Sequence, residues 1–185
     1  MITFSKLPKH IFEKESFTQI GVEGFNIYTF LMYYQNFSGE INFTINQLND
    51  FMILPSNYNS KINMVSRSLE GLKTLNIIQY KWTKQGLNSN INVKLNEYHG
   101  QFTKFQLNDA HLVKKYDDPT LSILYIIVSY THFEKTYCFM SINTIRDILG
   151  ISPNKVIETM NIMQEKHLIS ISKGFNENNK YRRLI

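Results

Sequence analysis

The strongest constraint in this sequence is a helix opening that is written twice. The stretch FTINQLNDFM, Phe43 to Met52, returns as MSINTIRDIL, Met140 to Leu149. Laying Thr44 on Ser141, a shift of 97 positions, brings Ile45 onto Ile142, Asn46 onto Asn143, Leu48 onto Ile145 and Asp50 onto Asp147. A repeat of this kind sets the architecture, because each copy must be one supersecondary unit with a face to bury. The likeness spreads in both directions. Upstream, GVEGFNIYTFLMYY (Gly21 to Tyr34) answers DDPTLSILYIIVSY (Asp117 to Tyr130). Both place apolar residues at helical spacing, Phe25, Tyr28, Leu31 and Met32 in one, Leu121, Leu124, Ile127 and Val128 in the other. Downstream, the segment from Asn59 to Trp82 answers that from Ser152 to Lys173, with Val65, Leu69 and Leu72 matching Val156, Met160 and Met163. Each reads as an amphipathic third helix that runs into a strand.

Local signals agree with this division. Thr44 and Ser141 stand where an N-cap hydroxyl accepts from free backbone N–H groups. In LGISPNK, Gly150 predicts a left-handed helix end, Ser152 the next N-cap and Pro153 the first helical position. The first copy has a longer turn at the same place, ILPSNYNS (Ile53 to Ser60). After the third helix, NIIQYKW, TKQGLNSN and INVKLNEY predict strand, polar tip and strand, as do LISISKG, FNENN and KYRRLI in the second copy. Three helices and a hairpin make a winged helix-turn-helix. The expected fold class is therefore α+β, mainly helical, with two tandem winged helix-turn-helix domains, residues 1–100 and 101–185, meeting near EYHGQFTKFQ.

Composition narrows the function. With 43% apolar residues the chain has ample material for buried cores, and its most apolar run, Thr120 to Tyr130, is too short to span a bilayer. The N-terminal segment lacks the apolar block of a secretory signal, and the single Cys138 forms no internal disulfide, so a cytoplasmic protein without a membrane partner is expected, with Cys138 a buried thiol. The five histidines and one cysteine show no metal-ligand spacing, and no glycine-rich phosphate loop followed by Lys and Ser or Thr occurs. No cofactor, no metal and no enzymatic activity are expected. A net charge of +5 is compatible with a nucleic-acid partner without requiring one.

The third helix of the first copy carries the clearest binding signal. With Ile62, Val65, Leu69 and Leu72 inward, Ser60, Lys61, Asn63 and Arg67 form a polar, basic, acid-free outward face. In a helix-turn-helix such residues enter the major groove, where Asn pairs with adenine, Arg with guanine, and Ser and Lys hold phosphates. The first wing adds Lys84, Gln85 and Asn88. The second copy offers Asn154 and Lys155 on its third helix, beside a repelling Glu158, and Lys173, Lys180, Arg182 and Arg183 in its wing. Ile157 and Ile162 leave room for a protein contact there. Double-stranded DNA is the expected partner; a transcriptional regulator or a winged-helix protein-interaction module are the alternatives.

The opening FSKLPKHIFEKESFTQIGVEGFNIYTFL (Phe4 to Leu31) resembles the start of RepA-type plasmid replication initiators and of the related DnaD-like winged-helix domains of low-GC Gram-positive bacteria, with a strand-like LPK lead, a short helix and a long first helix. The tandem layout is similar to that of iteron-binding plasmid initiators. What the resemblance implies is binding to origin repeats of a plasmid, phage or other mobile element. Host replication proteins and a second copy of the chain are implied as further partners. The longer initiators continue past the position of Ile185, and helicase recruitment is not carried over.

Overall fold

The chain opens on a strand, β1 (Phe4–Pro8), passes through a short 3-10 turn (Lys9–Phe12) and enters the long helix α1 (Lys14–Tyr34). The computed structural model describes residues 4–82, 86–106, 110, 124, 137–173 and 179–184. Next come β2 (Glu40–Phe43), α2 (Ile45–Phe51), α3 (Tyr58–Thr74), β3 (Ile78–Trp82), β4 (Ile91–Leu95) and β5 (Phe102–Gln106). The C-terminal half contributes α4 (Ile142–Leu149), α5 (Pro153–Glu165), β6 (Ile169–Lys173) and β7 (Asn179–Arg183). The fold is α+β. The helix expected over Asp117 to Tyr130 lies outside the described residues except for Leu124, which is buried. Among the described residues no helix is long and apolar enough to cross a membrane.

The described strands form antiparallel sheets in the orders β1-β5, β2-β4-β3 and β6-β7. In the first half β2 precedes α2, and the hairpin β3-β4 follows α3, with Ile41 opposite Val93. The second half repeats this connection. Cys138, which falls on Ile41 at the same shift of 97 positions, bridges Tyr181 of β7 through two backbone hydrogen bonds of 2.9 Å. Both residues of the matched pair are buried, as are Phe43 and Met140 beside them, so the repeat reaches the core positions of the strand before α2 and α4. Burial pushes the Cys138 thiol up to about 11, which keeps it protonated and unreactive at neutral pH.

Helix ends follow the local chemistry. Thr44 and Gln47 form a reciprocal capping box at α2; Ser141 accepts from the Thr144 N–H at 3.0 Å, and Ser152 from that of Lys155 at 3.2 Å. Pro153 opens α5, and Gly150 ends α4 at φ 66°, ψ 22°. The first helix begins earlier than its apolar pattern, at Lys14, because Gly21 (φ 63°, ψ −177°) joins two helical segments through a conformation that side chains avoid. The segment expected to be the first helix is the stretch after this break.

The C-termini of α3 and α5 are built alike. Ile77 N–H reaches the Leu72 carbonyl and Asn76 N–H that of Lys73; Leu168 and His167 make the same pair to Met163 and Gln164, all within 2.9–3.0 Å. Asn76 and His167 therefore sit in the left-handed region, at φ 55° and 56°. A β-carbon is disfavoured there, and the imidazole of His167 is exposed, outside the core. His167→Gly is expected to raise stability by roughly 0.5–1 kcal/mol, read as a higher denaturant midpoint at unchanged slope.

A single cluster of buried side chains runs through both halves, and α1 packs against both α3 and α4. At the α1–α3 contact a β-carbon on Gly71 would lie 2.6 Å from the Gln19 carbonyl oxygen, so the absence of a side chain permits the close approach that seats α3. The strand β5 lies beyond the boundary expected after residue 100. It pairs with β1 over the whole register from Phe4↔Gln106 to Pro8↔Phe102, so its hydrogen bonds belong to the N-terminal unit.

Candidate nucleic-acid interface

Asn57 caps α3 by accepting from the Ser60 N–H at 3.2 Å, and Met64, Val65, Ser68, Leu69 and Leu72 are its buried residues. Ser60, Asn63 and Arg67 are exposed, whereas Lys61 and Ile62 are half-buried. Lys61 is thereby separated from the outward group expected for it. It precedes Val65 by four residues, so at 100° per residue it turns toward the same side as that core valine. Asn63 and Arg67, also four apart, form one stripe rising about 6 Å along the helix.

The outward face is not wholly free of acid. Glu70 lies one turn beyond Arg67, and its carboxylate accepts from Lys73 at 3.1 Å and from the Tyr80 hydroxyl at 2.7 Å. Burial, followed by the bond to Glu70, pushes Tyr80 up to about 12, which keeps its proton in place as the donor. The carboxylate is thus held at the C-terminal end of the helix, away from the half that carries Asn63.

The loop between β3 and β4 lies beside the start of α3. The Tyr58 hydroxyl, in the first turn, is 3.5 Å from where a β-carbon on Gly86 would sit. The tip turns tightly, with Ser89 N–H donating to the Gly86 carbonyl at 3.1 Å, and is tied to α2: Asn46 N–H meets the Leu87 carbonyl at 3.4 Å, and Asn46 Nδ2 donates to Asn88 Oδ1 at 2.6 Å. Asn88 remains exposed, with its carboxamide oxygen engaged and Nδ2 as its donor. Lys84 and Gln85 lie outside the described residues. Tyr58, Asn46 and Asn88 thus cluster at the β3–β4 loop, whereas Asn63 and Arg67 lie on the other side of α3 from Tyr58 at 100° per residue. Sequence reasoning missed Tyr58 and Asn46, although the identity of Asn46 and Asn143 in the repeat was a signal for the latter.

The second unit presents a different surface. Asn154 and Lys155 are exposed on α5, and Lys155 pairs with Glu158 at 3.7 Å, an exposed pair worth about 0–1 kcal/mol that offsets the lysine's charge. With Val65 laid on Val156, Arg67 falls on Glu158, so the same helical position carries opposite charge in the two copies. Ile157 is exposed and Ile162 half-buried. The wing cations expected to act together are divided. Lys180 and Arg182 alternate with buried Tyr181 on one face of β7, while Arg183 turns to the other, opposite Ile169. Lys173 ends β6, opposite Asn179.

A separate cleft of about 680 Å³ opens between β1 and the end of β4, where His10 Nδ1 meets the Tyr98 hydroxyl at 3.2 Å. Tyr28 also lines it; burial, with Tyr98 beside it, raises its pKa and holds its proton. Among the described residues no three His, Cys, Asp or Glu side chains gather as metal ligands. No protein-family model and no curated protein matches the sequence.

Proposed function

We propose that this chain is a sequence-specific double-stranded DNA-binding protein made of two tandem winged helix-turn-helix units, the first reading bases and the second holding phosphate. The observation that carries this reading is the exposed Asn63–Arg67 stripe on a helix whose other side is buried, with a wing docked beside its first turn. An Asn and an Arg one turn apart match the donor and acceptor patterns of adenine and guanine in the major groove, and the helix dimensions suit that groove. The polar side chain of Asn88, with Lys84 and Gln85 close to it in the sequence, suits contact with the adjacent DNA backbone. No catalytic step is part of the proposal, and the place of action is the cytoplasm.

Replication initiation on a plasmid, phage or other mobile element is the biological role we favour, on the strength of the Phe4 to Leu31 resemblance; a transcriptional regulator would use the same contacts on a different site. Protein docking is the second reading for the C-terminal unit, favoured by exposed Ile157 and by Glu158 in the place of Arg67. Repeated selection of bound fragments from a random duplex pool tests the function. A shared sequence is expected among the survivors, and recovery of unrelated sequences would contradict base reading.

A further inference from the structure

The outward face of the C-terminal sheet differs from its counterpart in the first unit in a way the scaffold does not require. Tyr137 and Phe139 flank the buried Cys138, so they share the face that Lys180 and Arg182 occupy on β7 and Ser170 and Ser172 on β6. At the shift of 97 positions Tyr137 and Phe139 fall on Glu40 and Asn42. The first unit thus builds the same strand with an acid and an amide on its outer side. Phe139 is 46% exposed in the second, although a polar residue would stand there at no cost to the core. The Lys180 ammonium lies 5.9 Å from the Tyr137 ring centroid and 5.6 Å from that of Phe139, which puts a positive charge at both rings. Arg182 is exposed on the same face, and among the described residues that face carries no carboxylate.

We propose that this face binds single-stranded nucleic acid, with bases stacking on Tyr137 and Phe139 and the strand's phosphates held by Lys180 and Arg182. Two π-faces with interleaved cations match the two parts of a nucleotide, base and phosphate. A protein partner covering two aromatics would leave the cations without a stated role. The spacing favours a single strand over a duplex. Residues two apart on an extended segment stand about 6.8 Å apart, twice the roughly 3.4 Å rise between stacked bases along one strand of a duplex. Each ring therefore meets one base of a stretched strand, whereas the bases of a duplex are already stacked on one another. The inference stands apart from duplex reading by α3, since it uses neither that helix nor the first wing.

The test compares binding of a labelled oligothymidylate, an abasic strand of equal length and a random duplex by fluorescence anisotropy. Tyr137→Leu/Phe139→Leu keeps apolar bulk and removes both stacking faces; it should weaken oligothymidylate binding by about 30-fold or more and leave the abasic strand and the duplex unchanged. Arg182→Ala should weaken the oligothymidylate, the abasic strand and the duplex alike, since it removes a phosphate-binding charge. Phe139→Trp, which enlarges the stacking face at a position open to solvent, should bind oligothymidylate at least as tightly as the parent. Equal parental affinity for the abasic and the thymidine strands would overturn the proposal, as would no loss in the double variant. Failure of Phe139→Trp to bind while its thermal melt matches the parent's would also overturn it. Loss of duplex binding in Asn63 or Arg67 variants leaves these outcomes unaffected, so the two proposals fail separately.

Discussion

Replacing Phe30 with alanine should lower the free energy of unfolding by about 3–5 kcal/mol. The ring is 3% exposed on α1 and meets Phe43 of β2 at 5.0 Å between centroids, Phe51 of α2 at 5.2 Å and Tyr34 at 4.8 Å. The Phe43 and Phe51 contacts are edge-on, an arrangement that adds to simple burial. Truncation would open a cavity where helix, strand and second helix converge, and three aromatic neighbours cannot all collapse into it. Since domains of this kind are held by about 5–15 kcal/mol, the variant would lose a large share of its stability. Equilibrium denaturation checks the value: the midpoint should fall with the slope unchanged, and Phe30→Leu should recover most of the loss. A loss below about 1 kcal/mol would mean that α1 does not anchor β2 and α2 through this ring.

Features decided by neighbouring residues were the most legible in the sequence. Thr44, Ser141, Ser152, Pro153 and Gly150 act through hydrogen bonds or dihedral angles within one turn, and each stands as the pattern predicts. The buried triplets Val65, Leu69, Leu72 and Val156, Met160, Met163 follow from helical periodicity in the same way. Asn57 as the cap of α3 was hidden because ILPSNYNS holds several residues able to cap. Pairing of β1 with β5 joins residues roughly a hundred positions apart and leaves no local mark, so the strand that β1 pairs with was not legible in the sequence.

At two of the expected site positions, periodicity bears on how the residues are arranged. Lys61, four residues before Val65, is half-buried where Asn63 is exposed, and Arg182 and Arg183, adjacent on β7, face opposite ways. The docking of the β3–β4 loop onto Asn46, and the aromatic face formed by Tyr137 and Phe139, depend on strand pairing across the chain. Such surfaces become visible only once the sheets are assembled.

If α3 reads bases, removing its two outward contacts must erase discrimination rather than binding. Each well-made side-chain contact to a base edge is worth about 1–3 kcal/mol, so Asn63→Ala/Arg67→Ala should weaken binding to the selected site by on the order of 2–6 kcal/mol. Both positions are exposed, and the fold should be unaffected within about 0.5 kcal/mol. Random DNA is held chiefly through phosphates, so its affinity should fall only by the contribution of the one lost charge. The measurement is the affinity of parent and double variant for the selected duplex and for a random duplex of equal length, taken at several salt concentrations. The ratio of specific to random affinity should be well above one for the parent and close to one for the variant at every salt concentration. A variant that keeps the parent's ratio would contradict base reading by α3.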